Sequence, residues 1–495
     1  MSKPTRRQTA KSASQKLHER APKGASQSRK PKTPLESTHS NENQFGKLMV
    51  SISGIRGVVG ESLTPEVVLK YANAFSAFSD RKKVVVGRDG RYHGAIFADI
   101  LAGTLAANGC DVVDIGICPT PTVQLAVEHS EAAGGVAVTA SHNPTEWNGL
   151  KFINQNGVFL DEEENKKLWS YADEPSNYAS YETTGAIERS DFFLHDHVRR
   201  VLAMKSVDVE AVRKRHLKVV VDCINAAGSV VVPQLLHEFG CITIKMNCNS
   251  TGKFPRKPEP LPENLSEVML RVKAENADLG IAVDPDVDRL VLITEKGEPF
   301  SEEYTVVQAV KFIFEKNPPE QRIAVVNLST TRAVDEIARG LDGKVYRSAV
   351  GEINVVKKMK IVNAIVGGEG SGGIILPEVH YGRDALVGIA ITLQHLLEFG
   401  GTLSELKESL PHFEIVKKRI ELGRKNPERI IGAIKKRYSN LDINTEDGLK
   451  IDAPDYWIHL RKSNTEPIIR VIAEAATRRE AEFRANEVAE LVENI

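Results

Sequence analysis

Apolar and polar positions alternate between two recurring patterns along this chain. Short β-branched runs such as Val84-Val85-Val86, Val219-Val220-Val221 and Ile323-Ala324-Val325-Val326 have the length and composition of buried strands. Each run leads into a polar loop, an amphipathic helical stretch, a Gly and a second strand. The first copy continues through a helix over Phe97 to Ala107, then Gly109 and Val112-Val113. The second continues through a helix around Leu235-Leu236, then Gly240 and Ile242-Thr243-Ile244, and the third through a helix around Val334 and Ile337, then Gly343 and Val345-Tyr346. Strands alternating with helices predict α/β layers with mixed, largely parallel sheets. The copies lie more than a hundred residues apart, too far for a solenoid repeat, so they predict three related α/β domains in series.

The pattern changes after Gly400-Gly401. It becomes a helix (Leu403 to Leu410), a strand, a helix (Pro427 to Tyr438), strands over Gly448 to Asp452, Tyr456 to Arg461 and Pro467 to Glu474, and a closing helix (Arg478 to Val492). This predicts a C-terminal α+β domain. The expected boundaries are a tail at 1–45 and domains at 47–188, 189–298, 299–410 and 411–495, around a central cleft, with 183–190 and 296–303 as linkers.

Composition adds exclusions. Of 495 residues 41% are hydrophobic and 26% charged, and no run is apolar enough to span a membrane. Five cysteines without a CxxC pair exclude a disulfide framework and cysteine-bound zinc, and predict a reducing, cytoplasmic setting. The net charge of -1 is a cancellation. Residues 1–45 hold ten Lys or Arg against three Glu, or +7, while the rest holds 55 basic against 63 acidic residues, or -8. With almost no aliphatic residues, the tail is predicted to be disordered and solvated. Nucleic-acid contact or organelle targeting are its functional alternatives, and Met49 is a second candidate start.

Four loops carry chemistry. Thr139-Ala140-Ser141-His142-Asn143-Pro144 follows a β-prone run, and its Pro forbids helical continuation, which leaves the Ser141 hydroxyl exposed for nucleophilic or phosphate chemistry. On an extended segment the His142 side chain diverges from Ser141 and cannot serve it as a base. Asp284-Pro285-Asp286-Val287-Asp288-Arg289 places three carboxylates at alternate positions after the strand Leu279 to Val283, and they repel unless a cation such as Mg²⁺ or Ca²⁺ joins them. An EF-hand is excluded because its sixth position must be Gly and here is Arg289. Gly367-Gly368-Glu369-Gly370-Ser371-Gly372-Gly373 offers close backbone approach, a carboxylate and a hydroxyl, a set suited to sugar hydroxyls. Arg461 through Arg470 concentrates guanidinium, hydroxyl and amide groups around a Pro-stopped turn that can wrap a phosphate. Arg56, Arg88, Asp89 and Gly382-Arg383-Asp384 read in the same way. Together these loops describe phosphoryl transfer on a sugar phosphate.

In order and spacing, the four loops resemble the α-D-phosphohexomutase family over residues 49–495. The resemblance implies a phosphoserine at Ser141 and one Mg²⁺ held by Ser141, Asp284, Asp286 and Asp288. It implies catalytic roles for Ser141, Lys151, Arg56, Arg289 and His142, with Lys151 as general acid/base. Glu369, Ser371 and Gly351 would meet the sugar, and Arg461, Ser463, Asn464, Thr465 and Arg470 its non-reacting phosphate. A hexose phosphate is the implied substrate and a sugar 1,6-bisphosphate the activator, in a monomer or homodimer. Three positions depart from the family. Pro285 and Val287 replace the usual glycines of the metal loop, and Gly373 stands where many members carry His, so that role is expected to pass to His380. Pro285, the Gly-Glu-x-x-Gly-Gly loop and Val350-Gly351-Glu352-Ile353-Asn354 resemble archaeal-type phosphoglucosamine mutases, which implies glucosamine phosphate. Phosphomannomutase or phosphoglucomutase activity is the near alternative; an Asp-x-Asp phosphatase and a non-catalytic sugar-phosphate sensor are alternatives of other classes.

Overall fold

Alternation along each β-branched run decides which side chains enter which layer. In the strand Val84–Arg88, Val84 and Val86 face one side and Val85 the other, and all three are buried. Val84 and Val86 pack under the helices Pro65–Phe78 and Gly94–Ala107, while Val85 joins a second core that runs on into the next two domains. The computed structural model describes residues 48–423, 425–462 and 468–494; the basic tail, with the expectations attached to it, lies outside these.

Four sheets follow in chain order. The first has seven strands, in the order Met49–Ser51, Gly54–Val58, Trp147–Asn154, Gly134–Val138, Val84–Arg88, Val112–Ile117 and Ile187–Arg189. Its last four strands are parallel and its first four antiparallel. The second sheet orders Leu290–Thr294, Leu279–Val283, Lys218–Asp222 and Ile242–Met246; the third orders Lys344–Ser348, Ile323–Asn327, Val366–Glu369 and Gly373–Ile375. Each of these has three parallel strands and one antiparallel edge. The last sheet, five strands running from Glu414–Glu421 to Asp442–Asn444, is antiparallel throughout and is covered by the helices Pro427–Arg437 and Arg478–Asn494. The four-domain α/β architecture expected from the sequence is present.

One rule places the chemistry. In each of the first three domains a parallel strand hands over to an antiparallel neighbour, and that handover loop carries the reactive residues. Gly134–Val138 passes to Trp147–Asn154 through the Ser141 loop, Leu279–Val283 to Leu290–Thr294 through the Asp loop, and Val366–Glu369 to Gly373–Ile375 through the Glu369–Ser371 loop. All three loops leave the carboxyl ends of parallel strands, where open α/β sheets present their ligands.

Residues 183–190, expected as a linker, contribute the edge strand Ile187–Arg189, paired parallel to Val112–Asp114. All three of its residues are exposed, so no apolar pattern announced it; its pairing is carried by the backbone and by Asp111 Oδ1, which accepts from Ala186 N at 3.0 Å. The second expected linker, 296–303, already contains the first two residues of the helix Glu302–Glu315.

The first three domains share one continuous apolar core, whereas the last has its own. The junction between them is polar. Arg332 N donates to Glu474 Oε1 at 3.0 Å, Ser329 Oγ meets His459 Nδ1 at 2.8 Å, and Tyr304 Oη donates to Pro411 O at 2.9 Å. No helix among the described residues is long and apolar enough to cross a membrane.

The strand carrying Arg56 depends on Gly54, whose φ is 93° and whose missing Cβ would lie 2.0 Å from Leu150 O. Gly54→Ala is expected to cost roughly 1–3 kcal/mol by overpacking, read by equilibrium urea unfolding; an unchanged midpoint would show that the pairing of Gly54–Val58 with Trp147–Asn154 yields without cost.

Candidate functional site

The Ser141 loop is held in an unfavourable shape. Ser141 has φ 48°, a left-handed conformation that costs a non-glycine residue roughly 1–3 kcal/mol and persists only where its surroundings impose it. Here they do. Ser141 N donates to Thr139 Oγ1 at 2.8 Å, and Thr139 Oγ1 donates to Asp89 Oδ2 at 2.6 Å. Asp89 also accepts from Arg91 Nε at 3.0 Å. The buried Arg91 guanidinium then donates to four carbonyls of the loop, those of Ser141 (2.6 Å), Asn143 (2.8 Å), Pro144 (2.7 Å) and Trp147 (3.0 Å). All five guanidinium donors are engaged, which a lysine could not reproduce.

The turn brings Ser141 to the next loop. Its hydroxyl donates to Asp284 Oδ2 at 3.2 Å. Because Ser141 is left-handed rather than extended, His142 does not diverge from it, and His142 Nδ1 lies 3.4 Å from Ser141 Oγ. This corrects the expectation drawn from an extended segment. Burial, followed by the charges of Arg289 and Arg56, holds the His142 ring well below its ordinary pKa, so it is neutral at pH 7. Arg56 reaches the same loop through Asn143 Oδ1 at 3.0 Å.

Asp284, Asp286 and Asp288 are at most 1% exposed, and each offers an oxygen within 4.8 Å of the others. Asp286 Oδ2 accepts from Lys151 Nζ at 2.6 Å and from Thr120 Oγ1 at 2.7 Å; Asp288 Oδ2 accepts from Lys151 Nζ at 3.2 Å and Arg383 Nη2 at 2.6 Å. The Oδ1 atoms of Asp286 and Asp288 are buried with no hydrogen-bond donor. Two bare carboxylate oxygens among three buried acids are what a hard divalent cation requires, and the residues fit one. Burial, then the charges of Asp288 and Asp286, raise the Asp284 carboxyl well above its ordinary value. Burial would do the same to Asp288, but Arg383, Lys151 and Arg289 together hold it well below. Desolvation pulls Lys151 down, yet Asp286 and Asp288 leave it raised.

One of the glycine replacements in this loop carries a backbone cost. Val287 adopts φ 60°, a conformation that costs an L residue roughly 1–2 kcal/mol. Its side chain is fully buried, and that burial is worth about 1.5–3 kcal/mol, so the replacement is affordable where an exposed one would not be.

At the Glu369–Ser371 loop, Glu369 Oε1 accepts from Asn327 Nδ2 at 2.8 Å and Gly351 N at 2.9 Å, and Glu369 Oε2 from Arg383 Nη1 at 2.9 Å. Ser371 Oγ lies 3.5 Å from the same Arg383 nitrogen. His380 does not enter this site. Its Nε2 faces Asp384 Oδ2 at 3.1 Å, in a buried cluster with His197. The space beside Gly373 is filled by Arg383 instead, whose Cδ lies 2.3 Å from where a Cβ at 373 would stand.

A small cavity lined by Glu259, Arg289, Ser371, Glu302 and Lys417 opens between the second, third and last domains. On the last sheet Arg461 and Arg470 stand directly opposite each other, and Arg470 also faces Arg419 on the next strand. Like charges directly opposite across a sheet are destabilising. Arg461 Nε pairs with Asp447 Oδ2 at 2.9 Å, and the same oxygen accepts from Val350 N beside Gly351, whose own N–H donates to Glu369. Ser463, Asn464 and Thr465 lie outside the described residues. Arg91, Thr120, Asp447 and Arg419 carried no motif in the sequence. Arg91 alone left a trace, standing two positions after the strand-end Asp89.

Comparisons with known proteins agree with this arrangement. Models described as phosphoglucomutase/phosphomannomutase alpha/beta/alpha domains I, II and III match residues 47–179, 195–297 and 301–413, and the C-terminal domain of the same family matches 418–491. A Methanopyrus kandleri protein named "Probable phosphoglucosamine mutase" is 37% identical over 88% of this chain and 95% of its own length. A Thermococcus kodakarensis protein named phosphoglucomutase/phosphomannomutase is 37% identical over 90% and 98%. Among solved structures, a phosphoglucomutase/phosphomannomutase family protein from Burkholderia thailandensis superposes with a TM-score of 0.77 at 27% identity, covering 89% of this chain and 98% of that one.

Arg91→Lys keeps the charge but loses the fan of donors, and is expected to cost about 1–3 kcal/mol by leaving buried loop carbonyls without donors, measured by urea unfolding; an unchanged midpoint would show that the loop holds itself. Glu303 supplies a pH test. It accepts from Thr331 N at 3.1 Å and sits against Gly370, whose Cβ would meet it at 2.0 Å. Burial raises its carboxyl from 4.5 to about 8 against the opposing pull of Lys417. The folded protein therefore keeps a proton that the unfolded chain has released, so this group's stabilising contribution falls as pH rises from about 4.5 to about 8. Glu303→Gln is expected to flatten that fall, seen as thermal midpoints at pH 5.5 and 8 that lie closer together than in the unaltered protein.

Proposed function

Because this chain belongs to the phosphoglucomutase/phosphomannomutase family, we propose that it interconverts glucosamine 6-phosphate and glucosamine 1-phosphate through a phosphoserine at Ser141 and a sugar 1,6-bisphosphate. The observation that carries this is the meeting of the Ser141 hydroxyl and three buried carboxylates with two oxygens that lack a hydrogen-bond donor, on loops at strand ends, with the Lys151 ammonium from inside the strand Trp147–Asn154.

Ser141, Asp284, Asp286 and Asp288 would hold Mg²⁺, which when bound supplies Lewis-acid stabilisation of the charge that develops on a transferring phosphoryl group. The chain's own groups do the rest. Arg91 and Asp89 keep the Ser141 oxygen at a fixed point, so that the phosphoryl group travels along one line in both half-reactions. Arg56 and Arg289 flank that line and present guanidinium donors to its equatorial oxygens. Lys151 moves the proton of the sugar hydroxyl that attacks or leaves, and the neutral His142 ring orients the Ser141 oxygen. Glu369, Ser371 and Gly351 bind sugar hydroxyls, while Arg461, Arg470, Ser463, Asn464 and Thr465 clamp the phosphate that is not reacting. After the first transfer the bisphosphate turns by half a revolution, and its other phosphoryl group returns to Ser141. A clamp on a separate sheet suits this, because it grips either phosphate in the same way.

The preference for glucosamine is supported by the name of the Methanopyrus kandleri relative and by the Val350–Asn354 and Gly-rich loops. The name of the Thermococcus kodakarensis relative supports glucose and mannose phosphates as the second reading. We assign domains to 47–188, 189–298, 299–410 and 411–495, place the enzyme in the cytoplasm as a monomer or homodimer, and read the basic tail as unnecessary for the chemistry.

Isomerisation of the 1- and 6-phosphates of glucosamine, glucose and mannose, with Mg²⁺ and catalytic sugar 1,6-bisphosphate, tests the proposal. Glucosamine phosphate is expected to show the highest kcat/KM, and no isomerisation of any of the three would refute the mutase reading. Ser141→Ala is expected to lower kcat by roughly 10³-fold or more and Lys151→Ala by roughly 10²–10⁴-fold. A Ser141→Ala protein that still releases inorganic phosphate would favour a phosphatase.

A further inference from the structure

Arg383 is buried among three acids. It lies on the segment that follows the sugar loop, and its guanidinium reaches three carboxylates from two domains. Nη2 donates to Asp288 Oδ2 at 2.6 Å, Nη1 to Glu369 Oε2 at 2.9 Å and Nε to Glu352 Oε2 at 3.0 Å. Asp288 belongs to the metal loop and Glu369 to the sugar loop, so one rigid plane of donors joins the two. Glu352 is held from the first domain by Gln124 Nε2 at 3.0 Å, which fixes the third corner.

The backbone of this arginine is clamped as firmly. Asp384 N donates to Ile374 O at 2.8 Å, and Asp384 Oδ1 caps the helix Ala385–Phe399 through Leu386 N at 2.8 Å. Its Oδ2 meets His197 Nε2 at 2.7 Å and His380 Nε2 at 3.1 Å. Gly373 leaves the side chain its path. That residue has no positive φ to explain a glycine; what it lacks is room, because Arg383 Cδ and Cγ would lie 2.3 and 2.9 Å from its Cβ.

We propose that Arg383 is a positioning residue that couples the metal loop to the sugar loop, occupying the space that a side chain at 373 would otherwise fill. A cation that engages Asp288 shifts the carboxylate on one arm of the guanidinium, and the planar fork passes that shift to Glu369 on another arm. The reverse holds when a sugar hydroxyl engages Glu369. Cation and sugar phosphate must then bind with a mutual gain, equal in both directions. A lysine at 383 is a point charge and cannot serve two carboxylates in fixed geometry.

This rests on the mutase reading for its ligands, and its test does not require turnover. In the unaltered protein without sugar bisphosphate, which serves as the background for the variants, Mg²⁺ is titrated calorimetrically with and without saturating glucosamine 6-phosphate. The expected result is that the sugar phosphate tightens Mg²⁺ binding by roughly 5-fold or more, and that Arg383→Lys brings this ratio close to one while both ligands still bind. Gly373→Ala, which pushes the guanidinium aside without removing it, is expected to lower the ratio as well, with near-ultraviolet circular dichroism reporting that each variant is folded. Equal ratios in the background protein and in a folded variant would overturn the proposal. So would a background protein whose Mg²⁺ affinity ignores the sugar phosphate, which decides the matter even where both variants fail to fold. Loss of the mutase reading would appear separately, as an unaltered protein that isomerises nothing.

Discussion

Three carboxylates gathered at the end of one strand, out of reach of water, repel one another strongly. At separations near 4 Å each pair costs about 4 kcal/mol at an effective dielectric of ~20, and the sum rivals the 5–15 kcal/mol by which a whole domain is usually stable. Much of the site makes sense as an answer to that repulsion. Lys151 comes from the first domain, Arg289 from the loop itself and Arg383 from the third domain, and each lies within 4 Å of a carboxylate oxygen of Asp286 or Asp288. Two oxygens still lack a hydrogen-bond donor. The domains are drawn together by charges that none of them balances alone.

The same constraint explains why the three handover loops share one location. A strand that changes from parallel to antiparallel partners must leave the sheet at its carboxyl end, and the loop it makes there is free of the helices that cover the sheet faces. Repeating that step three times yields three loops of the same origin but different chemistry: a hydroxyl, a cluster of acids, and a carboxylate with a second hydroxyl. Divergence in these few residues, on an unchanged scaffold, is enough to make a composite site.

Much of this was legible in the sequence because it lies in contiguous residues. The β-branched runs and the loops at 139–144, 284–289 and 367–373 announce strands and chemistry locally, and the shared connectivity of the first three domains follows from the repeated spacing. What could not be read are properties that depend on distant partners. Arg91 reads as one more charged residue until its donors meet the carbonyls of Ser141, Asn143, Pro144 and Trp147. The reach of His142 hangs on the sign of one dihedral at Ser141, which a Ser does not advertise. Gly373 signalled a missing His, and nearness in sequence pointed to His380, but the space was taken by Arg383, three residues further along. The strand Ile187–Arg189 escaped because it buries no side chain.

The pairing of Gly373 with Arg383 also bears on how such an enzyme can change over generations. Any single substitution that adds a side chain at 373 collides with a guanidinium already committed to three acids, so that position is closed while the arginine stays. Losing the arginine first would leave buried acids without their counter-charge, a step that costs several kcal/mol. Starting from this chain neither first step is cheap, so the glycine and the arginine hold each other in place.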